Sequence, residues 1–354
     1  MSKLSWKHLR DSQLFWPVVA LALIMLFNLI FIPDFFTLEI KDGHLFGSMV
    51  DVINRGAPLM LLAIGMTMVI ATAGVDLSVG AVMAISAGAA AVLINPALGK
   101  TLIGSDKLVE DITATPLWVV ILVSLAVATL CGVWNGLLVS RANIQPMVAT
   151  LVLMVAGRGI AQLITNGQII TVYYSPYFFI GNGYLLGLPF TLFIVLGVFL
   201  FAWLMTRRTA IGLFVESVGI NASSSFFSGI NEKNIKLMAY TFCGFCAGIA
   251  GLIVSSNVKS ADANNIGLFS ELDAILAVVI GGTLMSGGRF SLMASIVGAL
   301  IIQATTTTMY ALGVPAMAAS AIKAMVVLIV ILLYSEQFKD VLGSVIERKG
   351  VQPS

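Results

Sequence analysis

The stretch APLMLLAIGMTMVIATAGVDLSVGAVMAISAGAAAVLIN, residues 57–95, holds one ionisable side chain, Asp76, between two apolar runs. A membrane-spanning helix needs about 20 apolar residues at 1.5 Å rise each. The runs at 57–73 and 79–95 approach that length and are separated only by Gly74-Val75-Asp76-Leu77-Ser78. Irregular backbone of this kind is tolerated at membrane depth only where other protein encloses it. The stretch therefore predicts a broken helical hairpin inside a larger helical bundle.

The rest of the chain agrees. Of its 354 residues, 59% are hydrophobic and 10% charged, with a mean hydropathy of +1.02. Soluble domains carry about 25% charged residues, so the solvent for most of this surface is lipid. The run from Phe15 to Pro33 follows Lys3, Lys7 and Arg10 as a signal peptide would, but its apolar core is too long and no small-x-small cleavage site precedes Asp34. It reads as a retained first helix.

Scanning for spans gives ten stretches, near 15–33, 57–73, 79–95, 117–139, 146–164, 189–206, 237–257, 272–285, 290–311 and 318–334. The eighth is short and Gly-rich. With the N-terminus in the cytoplasm, inside segments hold twelve basic residues and outside segments five, Arg55 among the latter. By the positive-inside rule both termini are cytoplasmic. The expected organisation is a cytoplasmic N-terminus over 1–14, an all-α, polytopic transmembrane domain with Gly-rich breaks over 15–334, and a cytoplasmic tail over 335–354. The longest inside loop, about 207–236, is the largest place for a soluble motor to dock.

Several functions lack their chemistry. A net charge of +2 without a basic, aromatic-laced tract argues against nucleic acid. Gly99-Lys100-Thr101 imitates the end of a phosphate loop, yet the glycine required five positions earlier is Ile94. Cys243-Gly-Phe-Cys246 has redox spacing inside a membrane run, where small packing residues are the simpler account. His8 and His44 are the only histidines, and no Gly-x-Ser-x-Gly elbow exists. The chain reads as no enzyme, with no cofactor of its own.

The polar residues inside the apolar runs are few. Asp76, with Ser78 beside it, either caps the next helix and locks the break or contributes to a gate. Arg158 is followed at helical spacing by Gln162, Thr165 and Asn166. That polar stripe suits either passage of a hydroxylated solute or interhelical packing. Asn135 on the fourth span and Gln303 beside Thr305–Thr308 on the ninth are further candidates for a translocation path. An unpaired charge in such a span costs roughly 2.5–3.5 kcal/mol, so Lys323 must find a partner or snorkel. It reads as mainly structural. The strings Ala63-Ile-Gly65-Met-Thr67 and Val279-Ile-Gly281-Gly-Thr283 look alike, a faint sign of a repeat.

The group formed by Gly74-Val-Asp-Leu-Ser-Val-Gly80, Ser228-Gly-Ile230, Ala261-Asp-Ala-Asn-Asn265 and Glu271-Leu-Asp-Ala-Ile-Leu-Ala-Val-Val-Ile-Gly-Gly282 resembles the ribose/galactose/arabinose class of ABC sugar permeases over nearly the whole chain. Within that class it looks most like the galactofuranose and L-arabinose branch. The resemblance implies a bacterial inner-membrane subunit that pairs with a second permease chain. It also implies a separate ABC ATPase that holds the ATP and a periplasmic sugar-binding protein that delivers the solute. It makes Glu216–Asn231 the coupling segment, with Glu216, Gly219, Asn221, Ser224, Ser225 and Gly229 as its contact residues. Asp262, Asn264, Asn265 and Glu271 become contacts for the binding protein. The class places Ala-Ala where Ser224-Ser225 stand here, which predicts lower helicity in that segment. A permease of the related branched-chain amino-acid class and a stand-alone secondary transporter are the competing readings.

Overall fold

The computed structural model of the chain describes residues 14–41, 43–95, 115–315, 318, 321–325 and 328. Within them the chain is helical, with three small two-stranded ribbons. The helices are α1 (Phe15–Phe31), α2 (Ser48–Ala71), α3 (Val79–Ile94), α4 (Leu117–Ser140), α5 (Pro146–Ile164) and α6 (Ser175–Asn182). They continue with α7 (Phe190–Arg207), α8 (Ile211–Ile220), α9 (Ala222–Phe227), α10 (Glu232–Val258), α11 (Ser270–Ile280) and α12 (Leu292–Ala311). Six of them, α2, α4, α5, α7, α10 and α12, are long and apolar enough to cross a membrane. The coarse expectation of an all-helical, multi-pass bundle holds.

Burial sorts these helices into an inner and an outer set. Helices α2, α10 and α12 bury about two thirds or more of their apolar windows, while α4, α5 and α7 bury less than a third. Helices that are apolar all round yet lie outside the core belong in lipid. Small residues let outer helices approach the inner set closely. Gly132 on α4, for example, lies against the backbone of Tyr240, Thr241 and Gly244 on α10, leaving no room for a Cβ.

Local chemistry sets the ends of the elements. Pro146 stands in the first turn of α5, where its missing N–H costs nothing. Asn231 caps α10 by accepting from the Asn234 amide, and Ser291 caps α12 by accepting from the Ala294 amide. Lys259, in the left-handed region, ends α10.

The start of the second span and the helicity near Ser224 depart most from the sequence reading. The second span starts at Ser48 rather than near 57, so Arg55 lies within a helix and leaves the outside-loop tally. Asp51 in the first turn of α2 is the signal that would have shown it, since an acid is favoured at a helix N-terminus. The segment around Ser224-Ser225 is also helical, as α9. Asn221 caps that helix by accepting from the Ser224 amide at 2.9 Å, and Gly229 with Ile230 closes it in a Schellman turn, so good caps outweigh the serines' low propensity. Of the tenth expected stretch, 318–334, residues 318, 321–325 and 328 are helical, and the others lie outside the described residues.

The ribbons gather at one end of the bundle. Strand β1 (Glu39–Lys41) pairs with β2 (His44–Phe46), β3 (Ile170–Thr171) with β6 (Ser260–Ala261), and β4 (Tyr184–Leu185) with β5 (Leu188–Pro189), all antiparallel. The Leu45 amide donates to the Gly187 carbonyl, and His44 stacks on Tyr184. The opposite end carries α8, α9 and the breaks after α2 and α11.

Candidate functional site

At the ribbon end a cavity of about 460 Å³ opens between α2, the last turn of α10, the start of α11 and α12. Arg55, Lys323, Asp262 and Asp273 are its charged lining, with Asn265 and Gln303 beside them. The formal charges of these four side chains cancel. Lys323 Nζ donates to Asp273 Oδ2 at 2.7 Å, which gives the span charge the partner it needs. Leu59, Leu62 and Ile302 supply apolar wall. Pro58 lies there too, within α2, where its lack of an N–H removes one helical hydrogen bond.

The cavity wall formed by the loop after β6 is held from outside. Arg158 on α5 donates from Nη1 to the carbonyls of Ala263 (3.0 Å) and Ile266 (2.6 Å). Gln162, one turn on, donates to Asn264 Oδ1 at 2.6 Å. Within the loop, Asp262 accepts from the amides of Asn264 and Asn265 and from the Asn265 side chain. Partial burial pushes the Asp262 carboxyl up. The hydrogen bonds from Asn265 and Asn264, with the Arg158 guanidinium nearby, outweigh it and hold Asp262 below the usual carboxylate range. Gly267 in this loop meets Gly80 at the start of α3 backbone to backbone, which only two glycines permit.

These contacts correct several readings. Arg158 and Gln162 spend their donors on the loop and do not line the cavity. Asn166, exposed and left-handed, follows the C-cap Thr165 of α5 as a helix stop. Glu271 is 3% exposed, with its carboxylate packed over Gly80, so in this arrangement it offers nothing to a protein partner. Of the path candidates Gln303 alone reaches the cavity, and Lys323, Asp262 and Asn265 join it there. Arg55, Asp273 and Thr306 are the additions that sequence reasoning missed as site residues.

The break after α2 is a lock. Asp76, 1% exposed, accepts from the Ser78 amide at 2.9 Å and from its hydroxyl at 2.7 Å. Asn135 on α4 donates to Ser78 Oγ at 2.8 Å and reaches Asp76 at 3.4 Å. Tyr240 on α10 and Thr150 on α5 both donate to the Val75 carbonyl. Asp76 thus binds the residue ahead of α3 and one neighbouring helix, rather than capping the first-turn amides of α3. Asn135, a path candidate by sequence, belongs to this lock.

Beyond the break lies the hub of the opposite end. The Gly288 amide donates to the Ala71 carbonyl at 2.9 Å, joining the breaks that follow α2 and α11. Gly219 on α8 sits on both, and a Cβ there would collide with the Ala71 carbonyl and lie 2.5 Å from the Gly288 amide nitrogen. From this base α9 projects with Phe226 61% and Phe227 87% exposed. Gly219 and Ser225 face inward, buried, while Asn221, Ser224 and Gly229 lie on the outside and Glu216 is half-buried. Among the described residues no group of three or more His, Cys, Asp or Glu could hold a metal ion, and Cys131, Cys243 and Cys246 are free thiols.

A multi-pass bundle with a neutral polar cavity at one end and a projecting short helix at the other is the build of a permease. Residues 48–334 match the family described as "Branched-chain amino acid transport system / permease component", and the chain belongs to that family. It is 46% identical over 338 residues to the galactofuranose transporter permease protein of Escherichia coli (strain K12), covering 94% of each chain. It is 37% identical over 352 residues to the fructose import permease protein of Bifidobacterium longum (strain NCC 2705), covering 98% of this chain and 94% of that one. It is 32% identical over 305 residues to the ribose import permease protein of Escherichia coli (strain K12), covering 85% and 87%. No solved structure matches the chain.

Proposed function

We propose that this chain is the membrane permease subunit of a binding-protein-dependent ABC importer that carries a monosaccharide across the bacterial inner membrane. The observation that carries the reading is the cavity, whose donors and acceptors are many, whose charges cancel and whose size suits a small polar solute. The relatives named for galactofuranose, fructose and ribose support a sugar over an amino acid.

In this reading ten spans cross the membrane with both termini inside, and the transmembrane domain runs from 15 to 334. The basic-residue bias sharpens once Arg55 moves into α2. The ribbon end then faces the periplasm and a sugar-binding protein, with Asp262, Asn264 and Asn265 at the rim. The hub end faces the cytoplasm, where α9 enters a groove of a separate ATPase that binds the ATP. Phe226 and Phe227 are its apolar anchors. A second permease chain completes the assembly.

The mechanism is linkage. ATP bound to the partner and the loaded binding protein each favour one arrangement of the bundle, and each shifts the equilibrium only by its differential affinity. Force on α9 is passed through α8 to Ala71 and Gly288 without slack, because no side chain intervenes. Both breaks then move together under the cavity.

The test is reconstitution in proteoliposomes with the ATPase and binding protein. ATP-dependent sugar uptake is expected, together with ATPase stimulation by loaded binding protein. Uptake by this chain alone would make it a secondary transporter, and uptake of leucine in place of sugar would favour the amino-acid class.

A further inference from the structure

We infer that the cavity is a sugar-binding site of the permease itself, in which Asp273, Lys323 and Arg55 exchange hydrogen bonds with the hydroxyls of a neutral monosaccharide in transit. The inference rests on the proposed function and deepens it. A monosaccharide permease needs only a passage. A site is a stronger claim, and three observations carry it.

First, Asp273 and Lys323 form a close ion pair on two separate helical segments, and their side chains remain 24% and 22% exposed to the cavity. A pair serving only to join helices gains most when shielded and fully satisfied. This one leaves ammonium protons and carboxylate lone pairs turned toward open space. Second, Arg55 makes no hydrogen bond or ion pair among the described residues and is exposed where it borders the cavity. Its guanidinium offers five donors in a planar fork. Third, Gln303 and Thr306 lie one turn apart on α12 and also line the cavity, Gln303 packing against Gly56 beside Arg55. Adjacent sugar hydroxyls are both donors and acceptors, so they can bridge a carboxylate and a cation without either ion losing its charge-assisted bonds.

Zero net charge on the charged lining explains the choice of a neutral solute, because an anionic or cationic one would leave an excess charge in a low-dielectric space. Lys323 and Asp273 also hold each other in the absence of solute, so occupancy there replaces a bond already present. Such a site is weak by construction, as transit requires: a solute must enter and must also leave.

The experiment uses the full chain with its ATPase and binding protein in proteoliposomes. Thr306→Cys is labelled with a water-soluble methanethiosulfonate, with the unsubstituted chain as the control for Cys131, Cys243 and Cys246. D-galactose, D-ribose, D-fructose, L-arabinose and leucine are added one at a time to the permease alone, and each is also run as a competitor of uptake in the full system. Sugars that compete for uptake are expected to slow labelling of Thr306→Cys several-fold, while leucine does neither. Asp273→Asn in the same background should abolish that protection.

Uptake competition with no protection, or protection that survives Asp273→Asn, overturns the site and leaves the importer standing. If leucine alone competes, or no sugar does, the reading of the importer itself falls.

Discussion

At one end of the bundle Gly219 lies on the backbone of Ala71 and Gly288 with no side chain between them. At the other, Arg55, Lys323, Asp262 and Asp273 line an open cavity. The first region is built from close backbone contact. The second keeps charged groups partly unsatisfied around a void. Packed backbone transmits displacement because it cannot compress, whereas a polar void can exchange its hydrogen bonds with a passing solute. A machine that is pushed at one end and loaded at the other needs both materials, and in that order.

Substitutions at the packed end should cost most. Gly219→Leu forces a side chain into the Ala71 and Gly288 backbone, and overpacking of this kind costs about 1–3 kcal/mol or more. The expected result is a sharp drop in thermal stability of the purified protein and loss of uptake. A variant that keeps both would show that α8 and the breaks part easily, and the contrast between the ends would fail.

Asn135→Leu removes the donor to Ser78 and Asp76 and leaves those acceptors buried and short of a partner, a cost of about 1–3 kcal/mol. Stability should fall less than for Gly219→Leu, with uptake reduced because the break is no longer held. Arg158→Gln tests the strap of the open end. It deletes two charge-assisted bonds to carbonyls, worth about 1.5–3 kcal/mol each at most, in a loop that borders solvent. The half-saturating concentration of loaded binding protein should rise with the maximal rate less affected, and unchanged kinetics at both would show that the loop holds its shape unaided.

Phe227→Ala should leave stability where it was, since the ring is 87% exposed, yet weaken stimulation of the ATPase by loaded binding protein. Full stimulation would move the docking surface away from α9.

The smallest effect is the response to acid. Asp262 has a lowered pKa in the folded chain, so its contribution is complete above the ordinary carboxylate value and is lost only as pH falls through the lower folded value. Amide exchange in the loop after β6 should be flat from neutral pH down to about 4 after correction for intrinsic rates, and should accelerate only below that. Acceleration at pH 6 would mean that other groups hold the loop.

Much of this was legible in the residues alone. The apolar runs, the break at Gly74–Ser78 and the long polar loop at about 207–236 follow from composition and spacing. The lock role of Asp76 was one of two readings, and the structure favours it through Ser78 and Asn135. Arg158 misled because a polar stripe on one helix face says nothing of what that face meets. Arg55 was missed for a different reason: a helix that starts with Ser-Met-Val-Asp is not apolar at its beginning, so a hydropathy scan begins it a full two turns late.

What the sequence determined by itself is the solvent, the multi-pass helical character and the family resemblance, because each depends on hydrophobicity and motif order along the chain. Only the tertiary structure decided which polar groups share a space. Asp273 and Lys323 are 50 residues apart and Arg55 lies over 200 from either, and nothing local to any of them records the others. A charge in an apolar span must be paired or hydrated, but the partner is chosen by packing, which is a property of the bundle and not of the strand of letters.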